Sequence, residues 1–211
     1  FAAISISKSL PKNTGTVIVK HGNPCGVSAL KNNLDSYKSA LETDPISAFG
    51  GIVSCNYKIT QKLAKMLNKI FLEVVVANGF DKKALSILKL KKNLRLIDAS
   101  KISLDEVWKF NSFDNFTLMQ SEDKKIFSKK DFRIVSKKKP NKSQLDNLLF
   151  AFNVCRYTKS NAIVLASNKS TIGIGSGQPS RLDSCEIAID KMKKFSKIKN
   201  EIVAASDAFF P

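Results

Sequence analysis

Short runs of apolar and β-branched residues recur along this 211-residue chain. Most are nearly continuous rather than alternating, which is typical of strands covered on both faces of a sheet. The pattern predicts strands at residues 16–20, 51–55, 73–77, 94–97, 132–136, 162–166, 171–174 and 202–205.

Helical periodicity appears between these runs. Residues 144–157 place Leu145, Leu148, Leu149 and Phe152 at i, i+3, i+4 and i+7, which is one face of a helix. Strands that alternate with helices indicate an α/β fold with a parallel or mixed sheet. Helices are predicted at residues 30–41, 62–71, 144–157 and 181–193.

The chain divides into two predicted units. Residues 100–140 are rich in Lys, Asp, Ser and Asn and show the least regular pattern, and a lysine run at 137–139 ends at Pro140. We place the junction there, which gives units 1–136 and 137–211. Because the chain begins with Phe1 and ends in the apolar run 208–211, we expect a fragment of a longer protein.

Composition narrows the class of protein. The chain is 43% hydrophobic and 25% charged, as in ordinary globular proteins, so disorder is not its main state. Its apolar runs are far shorter than the ~20 residues that cross a bilayer. The cysteines at 25, 55, 155 and 185 form no C-x-x-C, and the chain has one histidine, so neither zinc nor disulfides are expected. We expect a soluble cytoplasmic protein with no membrane partner.

The net charge of +17 raises the question of nucleic-acid binding. Only four of the 35 basic residues are arginine, and the lysines are spread along the chain. Readers of nucleic acid favour arginine interleaved with aromatic residues. Dispersed lysines favour a solvated surface, with steering of a small anion or binding of RNA as the alternatives.

The first candidate site follows the strand at 16–20. Lys20 and His21 are followed by a turn sequence, Gly22-Asn23-Pro24, at a strand end where scaffolds present reactive groups. A fixed cation beside a group that titrates near neutral pH suits proton transfer coupled to stabilisation of an oxyanion. The alternative is a surface histidine and lysine at an ordinary turn.

The same segment argues against a zinc deaminase, an enzymatic alternative that metal analysis would distinguish. These enzymes use H-x-E and P-C-x-x-C. Asn23 stands where the glutamate would be, and no second cysteine follows Cys25 at that spacing.

Three further segments are candidates for ligand contacts. The sequence at 43–51 (TDPISAFGG) predicts a structural turn, or a backbone cradle beside a ligand. Glycines at 173, 175 and 177 do not have the spacing of the dinucleotide-binding motif G-x-G-x-x-G. Ser180 and Arg181 begin a predicted helix whose N-terminus favours an anion. The alternative is that this segment is only a turn and a helix cap. Phe209 follows a Ser-Asp turn and either packs in the core or faces a flat ring.

Taken together, these segments resemble the AICAR transformylase domain of the bifunctional purine biosynthesis proteins, in which it is fused to IMP cyclohydrolase. They occur in the family's order over nearly the whole chain. The matching segments are 20–27 (KHGNPCGV), 43–52 (TDPISAFGGI), 73–81 (EVVVANGFD), 91–97 (KKNLRLI), 148–152 (LLFAF), 159–164 (KSNAIV), 171–184 (TIGIGSGQPSRLDS) and 206–211 (SDAFFP).

The resemblance implies a three-layer α/β fold with a mixed sheet and flanking helices, made of duplicated cytidine-deaminase-like units without zinc. It implies a homodimer with active sites at the subunit interface. The implied reaction moves a formyl group from 10-formyltetrahydrofolate to the 5-amino group of AICAR and gives FAICAR, which the cyclohydrolase closes to IMP. Nucleic acid is not an expected partner.

The resemblance also assigns residues. Lys20 and His21 correspond to the catalytic pair, with His21 as base and Lys20 acting on the oxyanion or the departing folate nitrogen, and Asn161 assists them. AICAR-contacting positions are Gly79, Asp98, Ser180 and Arg181, with Arg181 on the phosphate; folate-side positions are Leu182, Phe209 and Pro211. A monovalent cation near Thr158, Ser160 and Asp207 is left open.

The family's upstream segments that hold AICAR and its C-terminal segments that complete the folate site are not in this sequence. We therefore expect the chain alone to be incomplete as an enzyme. The alternative function is a non-catalytic basic α/β domain that binds RNA or another polyanion, which would lose affinity steeply with salt.

Overall fold

A computed structural model describes residues 1–104, 108–121, 123, 125, 127–197 and 201–209. The helices are α1 (Ala2–Ser9), α2 (Asn33–Thr43), α3 (Gln61–Leu67), α4 (Lys82–Leu88), α5 (Lys142–Cys155) and α6 (Arg181–Phe195). The strands are β1 (Thr16–Lys20), β2 (Asn23–Ser28), β3 (Gly51–Cys55), β4 (Leu72–Ala77), β5 (Arg95–Asp98), β6 (Trp108–Phe113), β7 (Phe116–Ser121), β8 (Ile163–Ser167), β9 (Ser170–Gly175) and β10 (Val203–Ser206).

Eight strands form one mixed sheet in the order β10-β8-β9-β2-β1-β3-β4-β5. β3, β4 and β5 are parallel, and the other neighbouring pairs are antiparallel. Strands from both sides of residue 137 therefore share the sheet. β6 and β7 form a separate antiparallel hairpin.

Helices cover both faces of the sheet. On one face, α1 and α5 pack against alternate strand residues such as Val17, Val19 and Val164. On the other face, α2, α3 and α4 cover residues such as Ile18, and α6 covers Leu165. Burial on both faces explains why the strands are almost continuously apolar.

The order of elements repeats along the chain. A helix, an antiparallel hairpin, a second helix and a strand occur as α1-β1-β2-α2-β3 and again as α5-β8-β9-α6-β10. In each group the last strand pairs antiparallel with the first. A serine hydroxyl near the start of the second helix donates to the backbone before the hairpin in both, from Ser36 to Thr14 (2.8 Å) and from Ser184 to Asn161 (2.7 Å).

The predicted mixed α/β architecture with flanking helices is confirmed, but individual elements differ. The strand predicted at 132–136 is wrong: this segment follows a short 3₁₀ turn (Lys129–Asp131), and Ile134 and Val135 are exposed without a partner strand. β2 was not predicted because Asn, Pro and Gly indicate turns. The hairpin β6–β7 and the helices α1 and α4 were also not predicted.

Candidate active site

Strand direction brings most of the predicted site residues to one edge of the sheet. β1, β9 and β10 end at this edge, whereas β2 and β8 begin there. We call it the His21 edge. It carries Lys20, His21, Asn161, Ser180, Arg181, Leu182 and Phe209.

A two-residue turn presents His21. Lys20 ends β1 and pairs with Asn23 of β2, so His21 and Gly22 form the turn, with φ of 49° and 81°. Two left-handed residues are typical of a type I′ hairpin turn. His21 is exposed, and its neighbour Lys20 is half-buried. A group that exchanges a proton with a substrate must be accessible to it, and the exposed imidazole meets this condition next to a fixed positive charge.

The Lys20 ammonium is held by a neighbouring loop. Its Nζ donates to the carbonyl oxygen of Phe49 (2.5 Å), in the turn before β3. That turn is closed by the Asp44 carboxylate, which accepts from the Ser47 N–H (2.9 Å) and hydroxyl (2.7 Å) and pairs with Lys191 (2.8 Å). Burial opposes ionisation of Asp44, but the hydrogen bonds outweigh it and hold the pKa of this carboxyl below its ordinary value. The segment 43–51 therefore serves as a structural turn that positions a lysine.

An open cleft of about 530 Å³ lies beside the His21 turn. His21, Gly22 and Asn23 line it together with Arg156 and Lys159. No Asp or Glu is among its described lining residues. Basic side chains of this kind favour an anionic ligand, although Asp123 pairs with Arg156 (3.5 Å) and offsets its charge.

The His21 edge also carries a network of side-chain hydrogen bonds around Arg181. Its Nη2 donates to Asn161 Oδ1 (2.7 Å), and its Nη1 donates to Ser206 Oγ (2.7 Å) and Asp207 Oδ1 (2.5 Å). The side chains of Arg181 and Asp207 are each 18% exposed. Burial opposes ionisation of Asp207, but hydrogen bonds from Ser160, Arg181 and Ala162 hold its pKa below the ordinary value.

This network qualifies the expectation that Arg181 binds a phosphate. The contact with Asp207 was not predicted, although Asp207 follows a strand, a position where functional side chains are common. A phosphate would have to bind the remaining N–H groups of the guanidinium or replace one of these partners. Ser180 caps α6: its hydroxyl accepts from the N–H groups of Leu182 (3.1 Å) and Asp183 (3.4 Å).

Two large apolar side chains are exposed at the same edge. Leu182 is 66% exposed and Phe209 is 84% exposed. Phe209 is therefore not packed in the core of the described structure. Pro211, the third predicted folate-side position, lies outside the described residues.

Gly79 and Asp98 lie at the opposite edge of the sheet. Gly79 lies two residues after the end of β4, and Asp98 is the last residue of β5. Ala77, which ends β4, pairs with Asp98, so both strands end at this edge. β1 runs antiparallel to β3 and its parallel neighbours, so Lys20 lies where those strands begin. Gly79 has φ of 99°, and the exposed Asp98 accepts a hydrogen bond from the Ser100 N–H (2.9 Å).

Within the described residues, no three His, Cys, Asp or Glu side chains are grouped so that they could hold a metal ion. Burial raises the pKa of the Cys25, Cys55 and Cys155 thiols to about 12, so these are thiols rather than thiolates at neutral pH. Among the same residues, no helix is long and apolar enough to cross a membrane.

Residues 1–191 match the family model of the AICARFT/IMPCHase bienzyme. The chain belongs to this family. It is 42% identical to the bifunctional purine biosynthesis protein PurH of Acetivibrio thermocellus over 99% of the chain, and 41% identical to PurH of Aquifex aeolicus over all of it. These matches cover 40% and 41% of the relatives, so the chain spans about two fifths of their length.

A solved structure is also similar: the apo dCMP deaminase of cyanophage S-TIM5, with a TM-score of 0.36 and 11% identity, over 45% of this chain and 89% of that one. A similarity of this size is too small to assign a fold.

Proposed function

We propose that this chain forms part of the transformylase of a purine biosynthesis enzyme. It would transfer the formyl group of 10-formyltetrahydrofolate to the 5-amino group of AICAR to give FAICAR, which the complete protein would cyclise to IMP. The observation that carries the proposal is the exposed His21 beside a held Lys20, at the edge of a basic cleft in a chain of this family.

In the proposed reaction, the amine nitrogen of AICAR bonds to the formyl carbon, and the bond from that carbon to the folate N10 breaks. The amine is a poor nucleophile because it is conjugated with the ring, so His21 removes its proton during attack. The Lys20 ammonium has three N–H donors, of which Phe49 accepts one. The others can stabilise the tetrahedral oxyanion, or Lys20 can deliver a proton to the departing N10.

The Arg181 network would receive the nucleotide. We propose that Arg181, with the N-terminus of α6 at Ser180, binds the AICAR phosphate, and that Asn161 assists the catalytic pair. The exposed Leu182 and Phe209 offer an apolar surface that fits the rings of the folate. Asp207 Oδ1 accepts hydrogen bonds from Arg181 and from the Ala162 N–H (3.1 Å), so a monovalent cation near Thr158, Ser160 and Asp207 would have to bind other oxygens of this group.

We further propose a homodimer that completes each site. Lys20 and Gly79 lie at opposite ends of strands of five or six residues, which span ~16–20 Å. A substrate in contact with His21 would therefore meet Gly79 and Asp98 from a second copy rather than from the same chain.

Mixing two inactive variants tests this shared site. Dimers that combine His21→Asn with Asp98→Ala would contain one intact site of two, so the mixture should regain up to about a quarter of normal activity, since half of the dimers are mixed. Formyl transfer by each variant alone is the reference. If mixed dimers form, as judged by mass spectrometry, and stay as inactive as the single variants, the shared site is wrong.

The repeated element order supports a duplicated, cytidine-deaminase-like domain with units 1–136 and 137–211, the second contributing α5-β8-β9-α6-β10. We also propose that the protein acts in the cytoplasm, where purine synthesis would take place.

Formyl transfer by the complete natural polypeptide tests the main proposal. With AICAR and 10-formyltetrahydrofolate, it should form FAICAR and tetrahydrofolate in equal amounts. The rival function is polyanion binding, which would appear as RNA affinity that falls steeply with salt. RNA binding without formyl transfer would reverse the proposal.

A further inference from the structure

β9 and β2, one from each repeated group of elements, are the neighbouring strands at which the second half of the fold (α5 to β10, three strands of the sheet) meets the first half (α1 to β5, five strands). Between described residues, these strands pair only at Ser28 and Ser170. Next to this pair, the Thr171 hydroxyl accepts from the Val27 N–H (2.9 Å) and donates to the Val27 carbonyl (3.1 Å), so a side chain stands between the backbones. Backbone pairing between β2 and β9 is thus confined to the end of the sheet far from the His21 edge, and we call the unpaired part toward that edge the split; on one face, side chains of both halves still pack in a common core.

Asn23 spans this split. It is the first residue of β2 and closes the turn that carries His21. Its Oδ1 accepts a hydrogen bond from the backbone N–H of Lys159 (3.0 Å), 136 positions further along the chain. The bond therefore connects the His21 turn with the segment that leads into Asn161.

The segment 159–161 makes its other hydrogen bonds within its own half. The Lys159 carbonyl accepts from the Gly177 N–H (2.8 Å), and Asn161 Nδ2 donates to the carbonyls of Gln178 (2.9 Å) and Pro179 (2.8 Å). Those bonds fix the shape of the second half but not its distance from His21. Among the hydrogen bonds of the described residues, the one from Lys159 to Asn23 directly links this segment to the His21 turn; elsewhere the halves are joined by a shared hydrophobic core and by the Lys191–Asp44 ion pair (2.8 Å).

We propose that Asn23 is a positioning residue that holds His21 and Asn161 at working distance across the split sheet. This inference rests on the proposed formyl transfer, in which both residues act on one substrate. Displacement of reacting groups by ~1 Å can slow a reaction by ~10²-fold. Because Asn23 is half-buried and Lys159 is exposed, the bond should contribute little to folding while contributing much to geometry.

The test compares Asn23→Leu, which keeps the branched shape but removes the acceptor, with Asn23→Asp, which keeps an acceptor oxygen. In the complete natural protein, Asn23→Leu should lower kcat for formyl transfer by about 10- to 100-fold, with each KM changed less than about threefold. Its Tm should shift by less than about 4 °C. Asn23→Asp should stay within about fivefold of normal kcat; since it adds a charge beside His21, rates are compared at the plateau of each pH profile.

Asn147 supplies a matched control. Its Oδ1 accepts from the backbone N–H of Lys169 (2.7 Å) in the β8–β9 turn, at the sheet edge opposite His21. Asn147→Leu removes the same kind of bond, and Asn147 is buried, so Tm should fall further than in Asn23→Leu. Its kcat should stay within about twofold of normal because the bond is remote from the site.

A direct readout is amide hydrogen exchange at Lys159. Exchange should rise about tenfold or more in Asn23→Leu and stay near normal in Asn23→Asp. If the natural protein transfers formyl groups and Asn23→Leu does so equally well, the inference is wrong and the proposed function stands. Equal losses in Asn23→Leu and Asn23→Asp would also overturn it. If the natural protein transfers no formyl group, the proposed function fails, and exchange at Lys159 decides whether Asn23 holds the segment.

Discussion

Replacing His21 by asparagine is expected to slow formyl transfer by the complete protein by about 10²–10⁴-fold, the usual contribution of a general base. The fold should be unaffected, because an Asn-Gly pair is the preferred sequence for the left-handed turn that His21 and Gly22 form. kcat at saturating AICAR and folate measures the chemical role, and thermal unfolding checks that the turn is intact.

Lys20→Gln should act on the same step. This variant removes the ammonium group that donates to the Phe49 carbonyl at the end of β1. Because that group would stabilise the oxyanion, we expect kcat to fall by about 10²–10³-fold. Lys83→Gln, on α4, is the control for a loss of one positive charge and should leave kcat unchanged.

Near-normal turnover in His21→Asn would disprove the assignment of proton transfer to His21.

Replacing Arg181 by alanine should raise the KM for AICAR by about 10- to 150-fold and leave the KM for folate nearly unchanged. A charge-assisted bidentate contact is worth roughly 1.5–3 kcal/mol, which corresponds to this range. Arg181→Lys should recover only part of the loss, because lysine keeps the charge without the planar fork that also reaches Asn161 and Asp207.

The same variant should change the pH dependence of stability. The folded pKa of Asp207 lies below its unfolded value, so this carboxylate stabilises the fold above about pH 4 and loses that contribution as pH falls through the folded pKa. Without Arg181 the pKa depression shrinks. Denaturant unfolding should therefore show a large deficit for Arg181→Ala near neutral pH and a smaller one in acid.

The lysine run at 137–139 provides the contrast. These residues are exposed, and neutralising them to glutamine should alter either KM less than about twofold at physiological salt. A silent Arg181 together with a decisive lysine run would place the anion site elsewhere and favour polyanion binding.

Hydrophobic patterning by itself determined most of the sheet. β1, β3, β4, β8, β9 and β10 were predicted within a few residues, because strands buried on both faces must be apolar throughout. The Lys20-His21 pair and the family segments are likewise readable from the chain, since they are contiguous in sequence. The strand predicted at 132–136 failed because apolar alternation forms a strand only where a neighbour offers its backbone groups.

The glycines of β2 and β9 show what patterning misses. A Cβ on Gly26 would lie 1.8 Å from the carbonyl oxygen of Ala40 in α2, and one on Gly175 would lie 1.8 Å from that of Ser184 in α6. These glycines let helices approach the sheet closely, whereas in sequence they indicate turns. Only the packed helix distinguishes the two roles.

Tertiary structure alone decided how the site residues are grouped. Asp207 meets Arg181 from 26 positions away, and Asn23 meets Lys159 from 136 positions away. Gly79 and Asp98 fall at the far edge because β1 runs antiparallel to β3. A sequence specifies which segments become strands, but their order and direction depend on long-range pairing, which brings together residues whose proximity no local pattern encodes.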